Sequence, residues 1–245
     1  RVIDAGGTER VAYPCDGCGG SIGLWTMDEA PELIDGDEFA DVIFVNSSSG
    51  TQCFATYTCY RLAPDGSVVP SWTREDGCNA VFQDVDGDGN VEIVTIDDYR
   101  YVFACGACLN PHVRTVYQFF GDGWILDTDA MRKPAPSQDA FDEVKRTLLA
   151  FDWSEEIAED GPYDPFYTKA VGELWAVMLD LIYEGNGQTA VDLLDAVWPE
   201  HLDNRTAVLA YFIEKVRIYT GRSGTWEAIA GMQDPPVDWP AFSKE

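Results

Sequence analysis

Gln83–Asp97 reads QDVDGDGNVEIVTID, and this stretch decides how the rest of the chain is read. Asp84, Asp86 and Asp88 alternate, Gly89 follows, and Glu92 closes the acidic run just before a β-branched, apolar segment. Carboxylates this close repel one another unless a cation neutralises them. A hard divalent cation such as Ca²⁺ takes about six to eight oxygen ligands near 2.4 Å. On a tightly curved backbone Asp84, Asp86 and Asp88 offer three side-chain oxygens, the Asn90 carbonyl a fourth, and Glu92 one or two more. Gly89 falls where the chain must take a conformation costly for a residue with a Cβ. Val91–Ile96 is β-branched and apolar, so a strand comes after the loop. Asp and Gly are also ordinary turn residues, and a surface turn without metal is the competing reading. Four acids at ligand spacing favour the cation, in a structural rather than a catalytic role.

The Asp-x-Asp-x-Asp-Gly-x-x-acid spacing resembles the calcium loop of FG-GAP (integrin-α-type) repeats. An EF-hand differs, because its closing Glu comes three positions later and its flanks are helices. The resemblance covers about residues 30–130 and is specific around Asp84–Val94. Glu92 stands where the family more usually has Asp, and its extra methylene shifts the denticity or lowers the affinity. A second copy, LIDGDEFADVIFV (Leu33–Val45), aligns at an offset of 51: Asp35 with Asp86, Asp37 with Asp88, Asp41 with Glu92. Leu33 replaces the first Asp and Glu38 the glycine, so this copy is expected to be structural and to hold no metal. Downstream, Tyr60–Val69 resembles Tyr117–Leu126, each a hairpin around a Gly-containing turn. The unit of loop, strand and hairpin thus occurs twice, with a period of about 50 that suits blade-like modules. FG-GAP proteins usually build a β-propeller, which needs at least about four blades. Two units imply an open pair of blades or a small sandwich.

The expected fold class is α+β: a β-rich calcium-loop module over 1–130, a linker over 131–137 and an antiparallel α-helical module over 138–245. Strands are expected at Ile22–Thr26, Asp41–Asn46, Gln52–Leu62, Ser67–Trp72, Val91–Asp97, Tyr99–Ala104, Val113–Phe120 and Trp124–Asp127. MRKPAPS (Met131–Ser137) marks the boundary: its prolines stop the strand and Ser137 caps the helix after it. Phe141, Val144, Leu148 and Phe151 recur at helical spacing. Pro165 opens a longer helix that Gly185 ends, and Pro199 stops a third holding Val191, Leu194 and Val197. Asp203 or Asn204 caps a fourth that runs to Gly221, and a short helix spans Trp226–Met232. Trp175–Pro199 loosely resembles a tetratricopeptide-type hairpin, with a Gly-x-x-x-x-Ala step from Gly185 to Ala190.

The net charge is −27, from 43 acidic and 16 basic residues. That balance disfavours nucleic acid, whose binding rests on basic contacts to phosphate, and anionic membrane surfaces. It suits cations and basic protein partners, or solubility in a saline habitat. No stretch is long and apolar enough to span a membrane. The chain begins at Arg1 rather than Met, which fits a processed N-terminus. All 7 Cys fall before residue 110, and the helical half has none. This suggests disulfides stapling a β module in an oxidising compartment, with one thiol left over. A four-Cys zinc site from Cys15, Cys18, Cys105 and Cys108 is the rival. Calcium loops of this kind belong mostly outside the cytosol, which favours disulfides and a periplasmic or secreted location. The pairing and the oligomeric state are left open.

Catalytic signals are weak. His112 and His201 lie near no nucleophile motif, and Ser47–Gly50 has no Gly-x-Ser-x-Gly pattern. Asp97 and Asp98 are adjacent on a strand end and point to opposite faces. The Trp residues, Trp153 and Trp198 among them, fall on apolar faces and read as core. The expected function is that of an extracytoplasmic, calcium-binding, non-enzymatic interaction protein: an inhibitor, an immunity-type neutraliser or an envelope scaffold. The alternatives are a hydrolase with Asp97, Asp98 or His112 in a cleft, and a calcium-dependent carbohydrate-binding or adhesion module.

Overall fold

A computed structural model describes residues 2–3, 9–11, 22–25, 41–47, 54–62, 65, 67–77, 80–98, 112–120, 123–153, 169–200, 205–221 and 225–239. Strands are β1 (Val2–Ile3), β2 (Glu9–Val11), β3 (Ile22–Trp25), β4 (Asp41–Ser47), β5 (Phe54–Leu62), β6 (Val68–Gly77), β7 (Val81–Gln83), β8 (Glu92–Asp98), β9 (His112–Phe120) and β10 (Gly123–Leu126). Helices are α1 (Thr128–Met131), α2 (Gln138–Leu149), α3 (Lys169–Tyr183), α4 (Gly187–Val197), α5 (Arg205–Gly221) and α6 (Trp226–Gly231). The fold is mixed α+β, with strands first and helices after. Two compact units divide the chain: Arg1–Ile96 with Val116–Ile125, and Asp97–Thr115 with Leu126–Glu245. Expected features at Leu33–Ala40, Tyr99–Ala104, Pro165 and His201–Asn204 lie outside the described residues. So do Cys15, Cys18, Cys53, Cys78, Cys105 and Cys108.

The first unit is built on two four-stranded sheets, ordered β3-β4-β5-β6 and β10-β9-β8-β7, with β1 and β2 forming a separate pair. Alternation sets the buried face of β5, where Ala55, Tyr57 and Cys59 are almost fully enclosed. Strand β6 is the edge of its sheet, and it runs five residues past the expected end at Trp72. The extension, Thr73-Arg74-Glu75-Asp76-Gly77, is polar and gives no hydrophobic period to detect. Charged residues on an edge strand also discourage pairing with a second chain. A register shift sits between Cys59 and Tyr60, whose partners are Trp72 and Pro70. Ser71 is the extra residue of the bulge, and Pro70 sits beside it on an edge strand, where a missing N–H is tolerated.

Aromatic rings from both sheets form the core of this unit. Phe82 of β7 lies edge-on to Tyr57 with centroids 5.7 Å apart and stacks on Trp72 at 6.1 Å. Trp124 of β10 meets Trp72 edge-on at 5.0 Å and Phe119 at 5.3 Å. The Arg74 guanidinium lies 3.7 Å from the centroid of Tyr117. Three-residue β7 is therefore fixed by one buried ring rather than by its length.

Among the described residues, the second unit is helical apart from its strand ends. Asp127 caps α1, accepting from the N–H groups of Asp129 and Ala130, and Ser137 caps α2 through Ala140 N–H. Helices α3 and α4 are joined across Glu184–Asn186, and Gly185 takes φ +83°, the left-handed turn that ends α3. Burial runs around much of α3, including Leu174, Trp175, Met178, Leu179 and Ile182. Trp175 stacks on Phe212 of α5 at 5.6 Å. The segment 131–137 is tied to this corner: Lys133 N–H donates to the Glu184 carbonyl and Asn186 Nδ2 donates to the Lys133 carbonyl. No described helix is long and apolar enough to cross a membrane.

Candidate metal centre

Strand β7 pairs antiparallel with β8 through Val81↔Val94, Phe82↔Ile93 and Gln83↔Glu92. The intervening residues 84–91 form the loop. Its shape arises from short-range hydrogen bonds between Asp side chains and nearby N–H groups. Gly87 N–H donates to Asp84 Oδ1 (2.6 Å) and Gly89 N–H to Asp84 Oδ2 (3.0 Å). Asp88 N–H donates to Asp86 Oδ1 (3.0 Å). Asn90 donates twice to Asp88, from its backbone N–H (2.7 Å) and from Nδ2 (2.8 Å). Gly87 and Gly89 take φ +81° and +91°, values that L side chains rarely adopt.

One oxygen from each of Asp84, Asp86 and Asp88 lies within 4.8 Å of the other two. All three residues are exposed, and together they could hold a metal ion. Glu92 differs from them. It is 2% exposed, and its Oε2 accepts the Val85 N–H at 2.7 Å. Glu92 thus sits under the loop and tethers its start. Burial pushes its pKa above the ordinary carboxylate value; the Val85 N–H opposes this, and the charges of Asp86, Asp88 and Asp84 add to it. Asp88 moves the other way, since the backbone and side-chain N–H groups of Asn90 stabilise its charged form.

The acidic spacing marks Asp84, Asp86, Asp88, Gly89 and Glu92, with the Asn90 carbonyl between the last two, and the structure gathers the carboxylates of Asp84, Asp86 and Asp88. The spacing does not mark Gly87, although a glycine between two of the Asp residues carries the same signal. Of the residues weighed for catalysis, Asp97 is half-buried and accepts the Tyr183 hydroxyl at 2.8 Å within the second unit. His112 lies on β9, Asp98 ends β8, and His201 is outside the described residues. Trp72 and Trp175 are buried as expected, whereas Trp153 and Trp198 are only half-buried. Comparison with models of known protein families, with curated proteins and with solved structures gave no match.

Proposed function

We propose that the loop Asp84–Glu92 binds one Ca²⁺ ion as a structural clamp. The chain would work outside the cytosol as a non-enzymatic interaction protein, with a basic protein as partner. The observation that carries the reading is the convergence of Asp84, Asp86 and Asp88 on a loop whose two glycines take positive φ. Asp84, Asp86 and Asp88 would hold the ion with the Asn90 carbonyl, and Glu92 would offer Oε1 while Oε2 keeps the Val85 N–H. Oxygen-only donors suit a hard cation better than zinc or copper. The ion supplies charge neutralisation; the residues supply the turn that presents them.

The β unit is proposed to be a pair of blade-like repeats. Each four-stranded sheet keeps chain order, and β4 and β8 begin at Asp41 and Glu92, the offset of 51 between the two acidic stretches. Protein docking is favoured by the net charge of −27, which steers cationic surfaces towards the chain.

Calorimetric titration with Ca²⁺ tests the site. Binding at about one ion per chain is expected, weakened at least about a hundredfold by Asp86→Ala and left nearly intact by Asp37→Ala. Equal affinity of wild type and Asp86→Ala overturns the site. Equal losses from both variants overturn the assignment of Leu33–Val45 as a copy without metal. For the partner, the chain immobilised in saturating Ca²⁺ should retain cationic proteins from a periplasmic extract in a salt-sensitive way. Retention of none counts against the docking role.

A further inference from the structure

The turn between α3 and α4 carries chemistry of its own, apart from the calcium loop. Asn186-Gly187 is the only Asn-Gly pair in the chain. In such a pair the glycine nitrogen can attack the asparagine side chain, because glycine has no Cβ to obstruct ring closure. The Gly187 nitrogen gives its proton to base and bonds to Asn186 Cγ. The Cγ–Nδ2 bond breaks and Nδ2 leaves as ammonia, which gives a cyclic succinimide. Water adds to either ring carbonyl and opens it to aspartate or isoaspartate. Water is consumed, ammonia is released, and nothing is oxidised or reduced.

The folded chain restrains both reacting groups. Asn186 is almost fully buried, and its Nδ2 donates to the carbonyls of Lys133 (3.2 Å) and Glu184 (3.4 Å). Gly187 N–H donates to Gln233 Oε1 at 2.7 Å. The Trp239 ring covers Gly187, where an added Cβ would meet it at 2.7 Å. Gln233 and Trp239 belong to the strap Met232–Trp239 that follows α6. The strap is tied to the same corner by Arg132, which donates to the Met232 carbonyl at 2.6 Å, and by Asp234 N–H, which donates to the Gly185 carbonyl at 3.2 Å. Its other side faces water: Asp234, Pro235, Pro236 and Asp238 are exposed. A segment with no helix or strand of its own opens locally at lower cost than the core.

We propose that Asn186 is a deamidation site gated by this strap: it reacts when the strap is open, and the product keeps the strap from closing again. An ionised carboxylate accepts hydrogen bonds and donates none, so the carbonyls of Lys133 and Glu184 lose this donor. Isoaspartate also lengthens the main chain ahead of Gly187, where a single added atom already collides with Gln233 and Trp239. The corner thus turns a passing opening into a lasting one.

The full chain is held in neutral buffer, digested in acid at intervals and read by mass spectrometry for conversion of amide to acid at Asn186. Asp-Gly pairs can isomerise too, but without a change of mass. Asn186 in the native chain is expected to react at least about a hundredfold more slowly than in the urea-unfolded chain. Trp239→Ala uncovers Gly187 and Gln233→Leu removes its acceptor, so each should speed the native reaction about tenfold or more. Circular dichroism establishes that each variant is folded. With no variant at all, deamidation and amide exchange at Gly187 should rise together as urea is added below the unfolding transition. The deamidated chain, isolated by ion exchange, should exchange its Asp234 N–H faster than the parent chain does. Equal rates in native and unfolded wild type overturn the gating. Folded variants that react no faster than wild type, or deamidation that does not follow Gly187 exchange, overturn the strap as the gate. Unchanged Asp234 exchange after deamidation overturns the lasting release. None of these outcomes touches the calcium reading, because the corner and the loop share no residue.

Discussion

Gly87 and Gly89 have open space where a Cβ would stand, so only their backbone conformation resists substitution. Alanine at either should cost about 1–2 kcal/mol of backbone strain, read as a lower melting temperature of metal-free protein and weaker Ca²⁺ binding. Gly187 makes the contrast. There a Cβ would meet Gln233 Oε1 at 2.5 Å and the Trp239 ring at 2.7 Å, so Gly187→Ala should destabilise by collision whether or not Ca²⁺ is present. Glu92 sets a pH dependence. Its pKa is raised in the folded chain, so the folded state takes up its proton more readily than the unfolded state does. In chelator its contribution is fully present below the ordinary value of 4.5 and is lost as pH rises through the raised folded value. Glu92→Gln should therefore flatten the fall in melting temperature over that interval. An unaltered pH profile in the variant would show that Glu92 is not the group responsible. The Asp spacing was visible in the sequence because its meaning is local. The burial of Glu92 was not, because it depends on what packs over β8.

At the scale of elements, recognition from sequence tracked the length of the periodic signal and the clarity of its ends. Ser137, Gly185 and Pro199 bracket helices that form within a few residues of expectation. Strands β4, β5, β8 and β9 obey β-branched or aromatic alternation. Strand β7 escaped notice because three residues cannot display a period, and α1 because four residues stand on one Asp cap. Contacts distant in sequence left no trace at all. Buried Gln233 accepts the Gly187 N–H at 2.7 Å and donates from Nε2 to the carbonyls of Ile182 (2.9 Å) and Ile229 (2.5 Å). One amide thus joins the end of α3, the start of α4 and the last turn of α6. Gln233→Leu keeps the approximate volume but orphans a buried N–H and removes a partner from two carbonyls. It should lower stability by about 2–4 kcal/mol in urea unfolding. A loss below about 0.5 kcal/mol would mean that the corner is held by apolar packing alone. Phe82 has the same standing in the β unit. Its removal empties space between Tyr57, Trp72 and Trp124, so Phe82→Ala should cost about 3–5 kcal/mol and weaken Ca²⁺ binding as well.

For the whole molecule the dominant fact is charge. A net of −27 makes the folded chain repel itself more strongly than the expanded one, since folding brings the same charges closer. Added salt shortens the screening length from about 30 Å at 0.01 M to about 10 Å at 0.1 M, so it relieves repulsion over the whole surface. In chelator the melting temperature should rise steadily as NaCl increases over this range. Ca²⁺ should act differently. At fixed ionic strength, a site binding only the folded state stabilises by an amount that grows with the logarithm of free ion above its dissociation constant. A millimolar addition should therefore raise the melting temperature beyond what the same ionic strength of NaCl achieves. Mg²⁺ should do less, because it prefers near-ideal octahedral geometry and sheds water reluctantly. The Asp86→Ala chain separates the two effects, since it keeps almost all of the general charge and loses the site. Its salt response should match wild type while its Ca²⁺ response disappears. If Mg²⁺ and Ca²⁺ raise the wild-type melting temperature equally, and Asp86→Ala responds to both, the acidic loop is one part of a diffuse negative surface and not a calcium clamp.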